Sequence, residues 1–140
     1  MRALRPFLLA TDLGFVAYWV VTSFHLIPAP YLFKDYSNPL LMAWNWSFLP
    51  LDLCISATGL ASVGLYRKGS PAWSALALVS LTLTSCSGLQ ALAFWTIRAD
   101  LDLAWWAPNL FLLIYPLVFI PRFLAGDTGR IGRSQADGAT

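Results

Sequence analysis

Four long apolar runs alternate with short polar segments along the chain, and each run has at least the roughly 20 residues that a helix needs to cross a bilayer. Pro28 follows the first run, while Asn38-Pro39 and Ser70-Pro71 precede the second and third as a helix cap followed by a first-turn proline. The pattern predicts transmembrane helices at residues 6–27, 40–66, 71–97 and 103–124. The remaining residues, 125–140, are polar and glycine-bearing and are expected to form a disordered cytoplasmic tail.

Composition supports a membrane protein. Hydrophobic residues make up 58% of the chain and charged residues only 11%, whereas a soluble domain averages about 25% charged residues. Lipid must therefore be the solvent for much of the surface, and the predicted fold is an all-α integral membrane four-helix bundle. No polar segment combines a basic patch with interleaved aromatic residues, so nucleic acid is not an expected partner.

The distribution of lysine and arginine predicts the orientation in the cell membrane. Seven of these residues fall on one side of the predicted spans and two, Lys34 and Arg98, fall on the other. Under the positive-inside rule this asymmetry places both termini of the multi-pass protein in the cytoplasm. The seven are Arg2, Arg5, Arg67, Lys68, Arg122, Arg130 and Arg133.

The second predicted helix contains the most unusual stretch, residues 43–53, in which two tryptophans, Asn45, Pro50 and Asp52 interrupt an apolar run. Pro50 predicts a kink. An ionisable side chain in a membrane span is costly, so Asp52 suggests a functional site. Residues spaced by seven, four and three positions share one face of a helix, which predicts a polar face formed by Asn45, Asp52, Ser56 and Gly59.

Polar and aromatic side chains concentrate in the outer half of the predicted bundle. An interfacial aromatic belt is an alternative explanation for Trp105 and Trp106, and an interfacial histidine for His25, but a belt does not explain Gln90 or Asn109. We therefore predict a ligand-binding set composed of Tyr18, Trp19, His25, Trp44, Asn45, Trp46, Gln90, Trp95 and Asn109.

Asp12 and Asp52 are the candidate catalytic residues. Asp12 is expected roughly 10 Å from the inner end of the first helix, and Asp52 near the middle of the second. A dry, unpaired carboxyl group can carry a proton at neutral pH, and tryptophan faces stabilise positive charge. This combination suits proton-initiated isomerisation or cyclisation of a lipid-like molecule such as an isoprenoid. The alternative is that each aspartate is a structural hydrogen-bond partner between helices.

No metal or cofactor is predicted. Cys54 and Cys86 lie in apolar runs without CxxC or Cys/His spacing and are expected to be small core residues. The chain has one histidine, and it lacks the GxGxxG, P-loop and GxSxG motifs.

Several motifs resemble the YvaD-like family of small bacterial four-helix membrane proteins. The similarity covers about residues 10–120, implies four helices and brings no activity, because no function is assigned to that family. The motifs are TDLGF at 11–15, HLIP at 25–28, YLFKDY at 31–36, NP at 38–39, AWNWSF at 43–48, PLD at 50–52, CSGLQ at 86–90, WW at 105–106 and PNL at 108–110.

Three functional classes remain open on the sequence. The first is an enzyme or binding protein for a hydrophobic small molecule, marked by a cavity at Asp52. The second is a proton-coupled transporter that works as a homodimer and uses Asp12 as its membrane carboxylate. The third is a non-catalytic subunit or stabiliser of a membrane protein partner, marked by fully satisfied aspartates and a solid interior.

Overall fold

The computed structural model of the protein describes the backbone of residues 1–28, 31 and 35–137, and the side chains of these residues up to position 125. The described chain is helical, without strands. Its helices are α1 (Arg5–Ser23), α2 (Pro39–Ser47), α3 (Leu49–Arg67), α4 (Trp73–Ile97) and α5 (Leu103–Asp137). Helices α2 and α3 together form one span, Pro39–Arg67, so four described helical spans are long and apolar enough to cross a membrane. The predicted all-α membrane fold is confirmed.

Local sequence explains where these helices end. Helix α1 ends at Ser23 rather than near residue 27, because His25 adopts a left-handed backbone with φ of 52°. The break between α2 and α3 falls at Phe48, where Pro50 in the first turn of α3 has no N–H to continue the helical hydrogen bonds. Helix α5 continues to Asp137, into the segment for which the sequence predicts a disordered tail.

The spans form a closed bundle. Helix α3 packs against α1 and α4, and α4 also packs against α5. The ring of Phe7 on α1 stacks against Phe111 and Tyr115 of α5, with centroid distances of 6.2 and 5.4 Å, which joins the first span to the last. Met1, Gly69 and Phe123 surround one groove, so the N-terminus, the α3–α4 turn and the part of α5 around Phe123 share one end of the bundle. We call this the terminal end.

The hydrophobic core lies toward the terminal end. A set of apolar side chains from α1, α3, α4 and α5 is buried there: Leu4, Leu8, Val63, Ala77, Leu81, Tyr115 and Phe119. Large apolar side chains elsewhere, such as Leu13, Leu53, Leu89 and Leu117, are exposed on the outside of the spans. A surface of this kind suits lipid as the solvent, because exposed apolar area is then no longer unfavourable.

Small residues let α4 approach its neighbours closely. A Cβ atom at Gly88 would come within 2.6 Å of the Asn109 carbonyl oxygen and 2.7 Å of the Leu113 amide nitrogen, so α4 and α5 are in backbone contact there. On the α3 side, the Ser80 hydroxyl donates a hydrogen bond to the Ile55 carbonyl oxygen at 3.3 Å. Small residues at helix interfaces allow such close approach between helices in lipid.

Candidate functional site

A cavity of about 290 Å³ lies at the end of the bundle opposite the terminal end, and we call it the outer cavity. All five helices contribute to its lining. The described lining residues are Phe15, Tyr18, Trp19, Trp44, Asn45, Phe48, Asp52, Ser87, Ala91, Trp95, Trp105, Pro108, Asn109 and Leu112.

Asp52 is held in a fixed orientation beside the outer cavity. Its side chain lies in the first turn of α3 and is only 4% exposed. One carboxylate oxygen, Oδ2, accepts a hydrogen bond from Trp19 Nε1 at 2.9 Å, and Oδ1 accepts one from the Ser87 hydroxyl at 3.4 Å. Because these donors belong to α1 and α4, the carboxyl group joins three spans while it still lines the cavity.

Asn45 brings an unused donor to the same cavity. The Tyr18 hydroxyl donates a hydrogen bond to Asn45 Oδ1 at 3.0 Å, which fixes the amide. The amide nitrogen Nδ2 is buried and has no hydrogen-bond partner within the part of the chain that the structure describes. A buried polar group without a partner is costly, so this amide is an unsatisfied polar group beside the cavity.

Aromatic side chains form much of the cavity wall and support one another. Trp44 stacks on Phe94 with a centroid distance of 4.0 Å and meets Trp95 edge-on at 5.7 Å. Trp95 in turn stacks on Trp105 at 6.3 Å. Packing of this kind restricts the rotamers of the rings.

The outer cavity brings together seven of the eleven predicted site residues and leaves four outside. Trp46 packs behind the cavity against Trp19, with a centroid distance of 5.4 Å. Gln90 and His25 are exposed and do not line it. Asp12 is buried elsewhere. The seven that meet are Tyr18, Trp19, Trp44, Asn45, Asp52, Trp95 and Asn109.

Some lining residues were missed by sequence reasoning. Phe15 and Phe48 carry no signal beyond their apolar character. Trp105, which an interfacial belt would also explain, faces the cavity. Ser87 could have been found, because it is a hydroxyl residue next to Gly88 and three positions after Thr84, on the small-residue side of α4.

Asp12 occupies a second, separate polar position. Its side chain is 0% exposed, and neither carboxylate oxygen has a hydrogen-bond partner among the described residues. The carboxyl group packs on Gly59, where any Cβ atom would overlap it. The hydroxyl groups of Thr11 and Tyr115 belong to the same buried neighbourhood. The Asp12 carboxyl group therefore fits only because residue 59 of α3 is glycine and has no side chain.

Asp52, Ser56 and Gly59 share the buried face of α3, as their spacing predicts. The Ser56 hydroxyl donates a hydrogen bond to the backbone carbonyl oxygen of Asp12 at 3.0 Å, which aligns α1 with this face. Since Gly59 lies two helical turns beyond Asp52, Asp12 and Asp52 are separated by roughly 10 Å along α3. Of the two acids, Asp52 lines the outer cavity and Asp12 does not.

Side chains of the types that bind metal ions lie apart in the part of the chain that the structure describes. Within the described ranges, no three His, Cys, Asp or Glu side chains come together in a way that could hold a metal ion. Cys54 and Cys86 are free and exposed. The expectation that they are core residues is wrong, because the faces of α3 and α4 that carry them point away from the bundle.

Comparison with known proteins places the chain in a family of unknown function. A family described as "Family of unknown function (DUF5360)" matches residues 4–130. The chain belongs to this family. It is also 54% identical over 120 residues to the "Uncharacterized protein YvaD" of Bacillus subtilis (strain 168), which covers 86% of this chain and 90% of that protein. No solved structure matches the chain. The resemblance to a YvaD-like family is confirmed.

Proposed function

We propose that this DUF5360 protein binds a lipid-like molecule in the outer cavity, with the apolar body against the aromatic wall and the polar end at Asp52. The observation that carries the proposal is the cavity of about 290 Å³ in contact with the carboxyl group of Asp52. A solid interior around Asp52 would have favoured a purely structural role.

The lining suits such a ligand. Small-molecule sites are mostly apolar, with a few convergent polar groups, and span about 300 to 1,000 Å³. Here Asp52, Asn45 and Asn109 supply the polar groups among apolar and aromatic residues. The cavity volume of about 290 Å³, just below that range, fits a small molecule or one end of a longer lipid such as an isoprenoid.

A pair of substitutions on α4 tests the binding proposal. Ala91 lines the outer cavity, whereas Ala93 is exposed two positions later on the same helix. We expect Ala91→Phe to fill the cavity and Ala93→Phe to leave it open. Native mass spectrometry of protein purified in mild detergent should then show a bound lipid-like molecule in the wild type and in Ala93→Phe, and its loss in Ala91→Phe. Equal retention by both variants would place the ligand elsewhere, and no ligand in any sample would contradict the proposal.

The catalytic form of the proposal uses Asp52 as a general acid for isomerisation or cyclisation. The Ser87 hydroxyl can either donate to Oδ1 or rotate to accept from it, so the site accommodates both protonation states of the carboxyl group. The molecule recovered from the wild type would be incubated with wild-type protein and with Asp52→Asn, and the products analysed by mass spectrometry. An unchanged rate of product formation in Asp52→Asn would rule out the general-acid role of Asp52 without contradicting the binding proposal.

Proton-coupled transport is a second candidate, favoured by the unpartnered carboxyl group of Asp12. Intramembrane acids commonly mark proton pathways. In proteoliposomes with an imposed pH gradient, Asp12→Asn should abolish uptake of the molecule identified above, and the active species should be a homodimer. The third class, a subunit of a membrane complex, has less support. That class predicts that both aspartates are fully hydrogen-bonded and that the interior has no cavity.

A further inference from the structure

The charge balance of the outer cavity indicates which class of molecule it takes. Among the lining residues that the structure describes, Asp52 is acidic and none is lysine, arginine or histidine. We propose that the ligand is a positively charged amphiphile, an organic ammonium or related onium compound, whose cationic group lies between Asp52 and the aromatic wall. This inference rests on the proposed function and specifies the ligand of the same site.

Among the residues that the structure describes, no lysine, arginine or histidine pairs with the Asp52 carboxyl group. Both hydrogen bonds to its carboxylate come from neutral donors, the Trp19 indole and the Ser87 hydroxyl. The nearby cation Arg98 is committed elsewhere, because it pairs with Asp35 at 3.4 Å and lies 5.8 Å from the Trp95 ring centroid, without lining the cavity. Buried charges are normally paired, so the position opposite Asp52 suits a cation that a ligand brings.

The aromatic wall supplies the second element of cation recognition. Half of the described lining residues are aromatic, and the faces of aromatic rings carry negative electrostatic potential that attracts quaternary ammonium groups. The mutual contacts of Trp44, Trp95 and Trp105 hold these rings in place around the cavity. A carboxylate together with a preformed aromatic cage distinguishes a cation from a neutral molecule of the same shape.

A charged probe and its neutral isostere test this inference. Benzyltrimethylammonium and neopentylbenzene have the same shape and differ by nitrogen in place of carbon, and hence by one positive charge. Purified protein in a nonionic detergent would be titrated with each, with quenching of tryptophan fluorescence as the readout. We expect saturable binding of the cation with at least tenfold higher affinity than that of the isostere.

Matched variants show whether Asp52 and the ring faces are responsible. Asp52→Asn should reduce the affinity for the cation about tenfold and leave the affinity for the isostere unchanged. Asp100→Asn, outside the cavity, should change neither affinity. Trp44→Leu should weaken binding of the cation more than binding of the isostere. Trp44→Phe should retain most of the preference for the cation. Circular dichroism and size-exclusion chromatography would confirm that each variant is folded.

The possible outcomes separate this inference from the proposed function. Equal binding of the cation and the isostere, unaffected by Asp52→Asn, overturns the cation inference and leaves the binding proposal standing. A preference for the cation that survives in Asp52→Asn also overturns it. Saturable binding of neither probe overturns the inference, and the Ala91→Phe experiment then decides the proposed function independently.

Discussion

At the scale of single residues, the two buried aspartates differ in their surroundings more than in their position along the chain. Asp52 accepts hydrogen bonds from two other spans and lines a cavity. Asp12 is fully buried and its carboxylate oxygens have no partner within the described structure. The sequence marks both residues as costly but cannot distinguish them, because the distinction depends on side chains that are distant along the chain.

The indole of Trp19 is expected to stabilise the bundle through its bond to Asp52. Trp19→Phe removes the donor and leaves a buried carboxylate oxygen without a partner, which should cost about 1–3 kcal/mol of unfolding free energy. Trp46→Phe is the control, since it removes the same indole volume from a ring that packs on Trp19 without bonding Asp52. Unfolding in mixed micelles would be measured, and an equal loss in both variants would show that ring volume, not the hydrogen bond, matters.

The unpartnered carboxyl group of Asp12 is expected to contribute nothing favourable to stability. Asp12→Asn keeps the shape beside Gly59 and removes the charge, so the free energy of unfolding should stay the same or rise by about 1 kcal/mol. Thermal unfolding in detergent measures this change. A clear decrease in melting temperature would mean that Asp12 binds a stabilising partner in the folded protein.

At the scale of helices, Gly88 decides how α4 is rotated. Because Gly88 packs on the backbone of α5, Gln90, about 200° further around the helix, points outward. Ala91 and Ser87 are brought to the inside by the same rotation. Sequence reasoning placed Gln90 in the binding set because it is polar in an apolar run, but polarity alone does not determine helix rotation.

Close contact between α4 and α5 is expected to be sensitive to one methyl group. Gly88→Ala would force the two backbones apart, at a cost of about 1–3 kcal/mol. Gly64→Ala is a matched control, because a Cβ atom at that helical glycine would meet nothing within 4 Å. Both variants would be compared by thermal unfolding in detergent, and a stable Gly88→Ala protein would contradict the close backbone contact.

At the scale of the whole molecule, the orientation in the membrane is still a prediction. Both termini should lie in the cytoplasm, and the connection that contains Ser37 should face outward. In a background without Cys54 and Cys86, a membrane-impermeant thiol reagent should label Ser37→Cys in intact cells and Lys68→Cys only after lysis. The reverse pattern would invert the topology and place the outer cavity at the cytoplasmic face.

The sequence by itself determined the four spans, the Asn38-Pro39 start of the second span and the polar face of α3, whereas Ser70-Pro71 does not cap α4, which begins at Trp73 without a side-chain cap. Hydropathy, capping and helical periodicity are local properties, so each can be derived from neighbouring residues. It also identified most of the aromatic and polar residues that meet in the outer cavity.

Only the tertiary structure decided which of those residues face one another. The rotation of each helix depends on contacts between spans, such as Gly88 against α5 and Gly59 against Asp12. Those contacts bring Ser87 to Asp52, turn Gln90 outward and leave Asp12 outside the cavity lining. A cavity is a space between helices, so no single helix sequence specifies it.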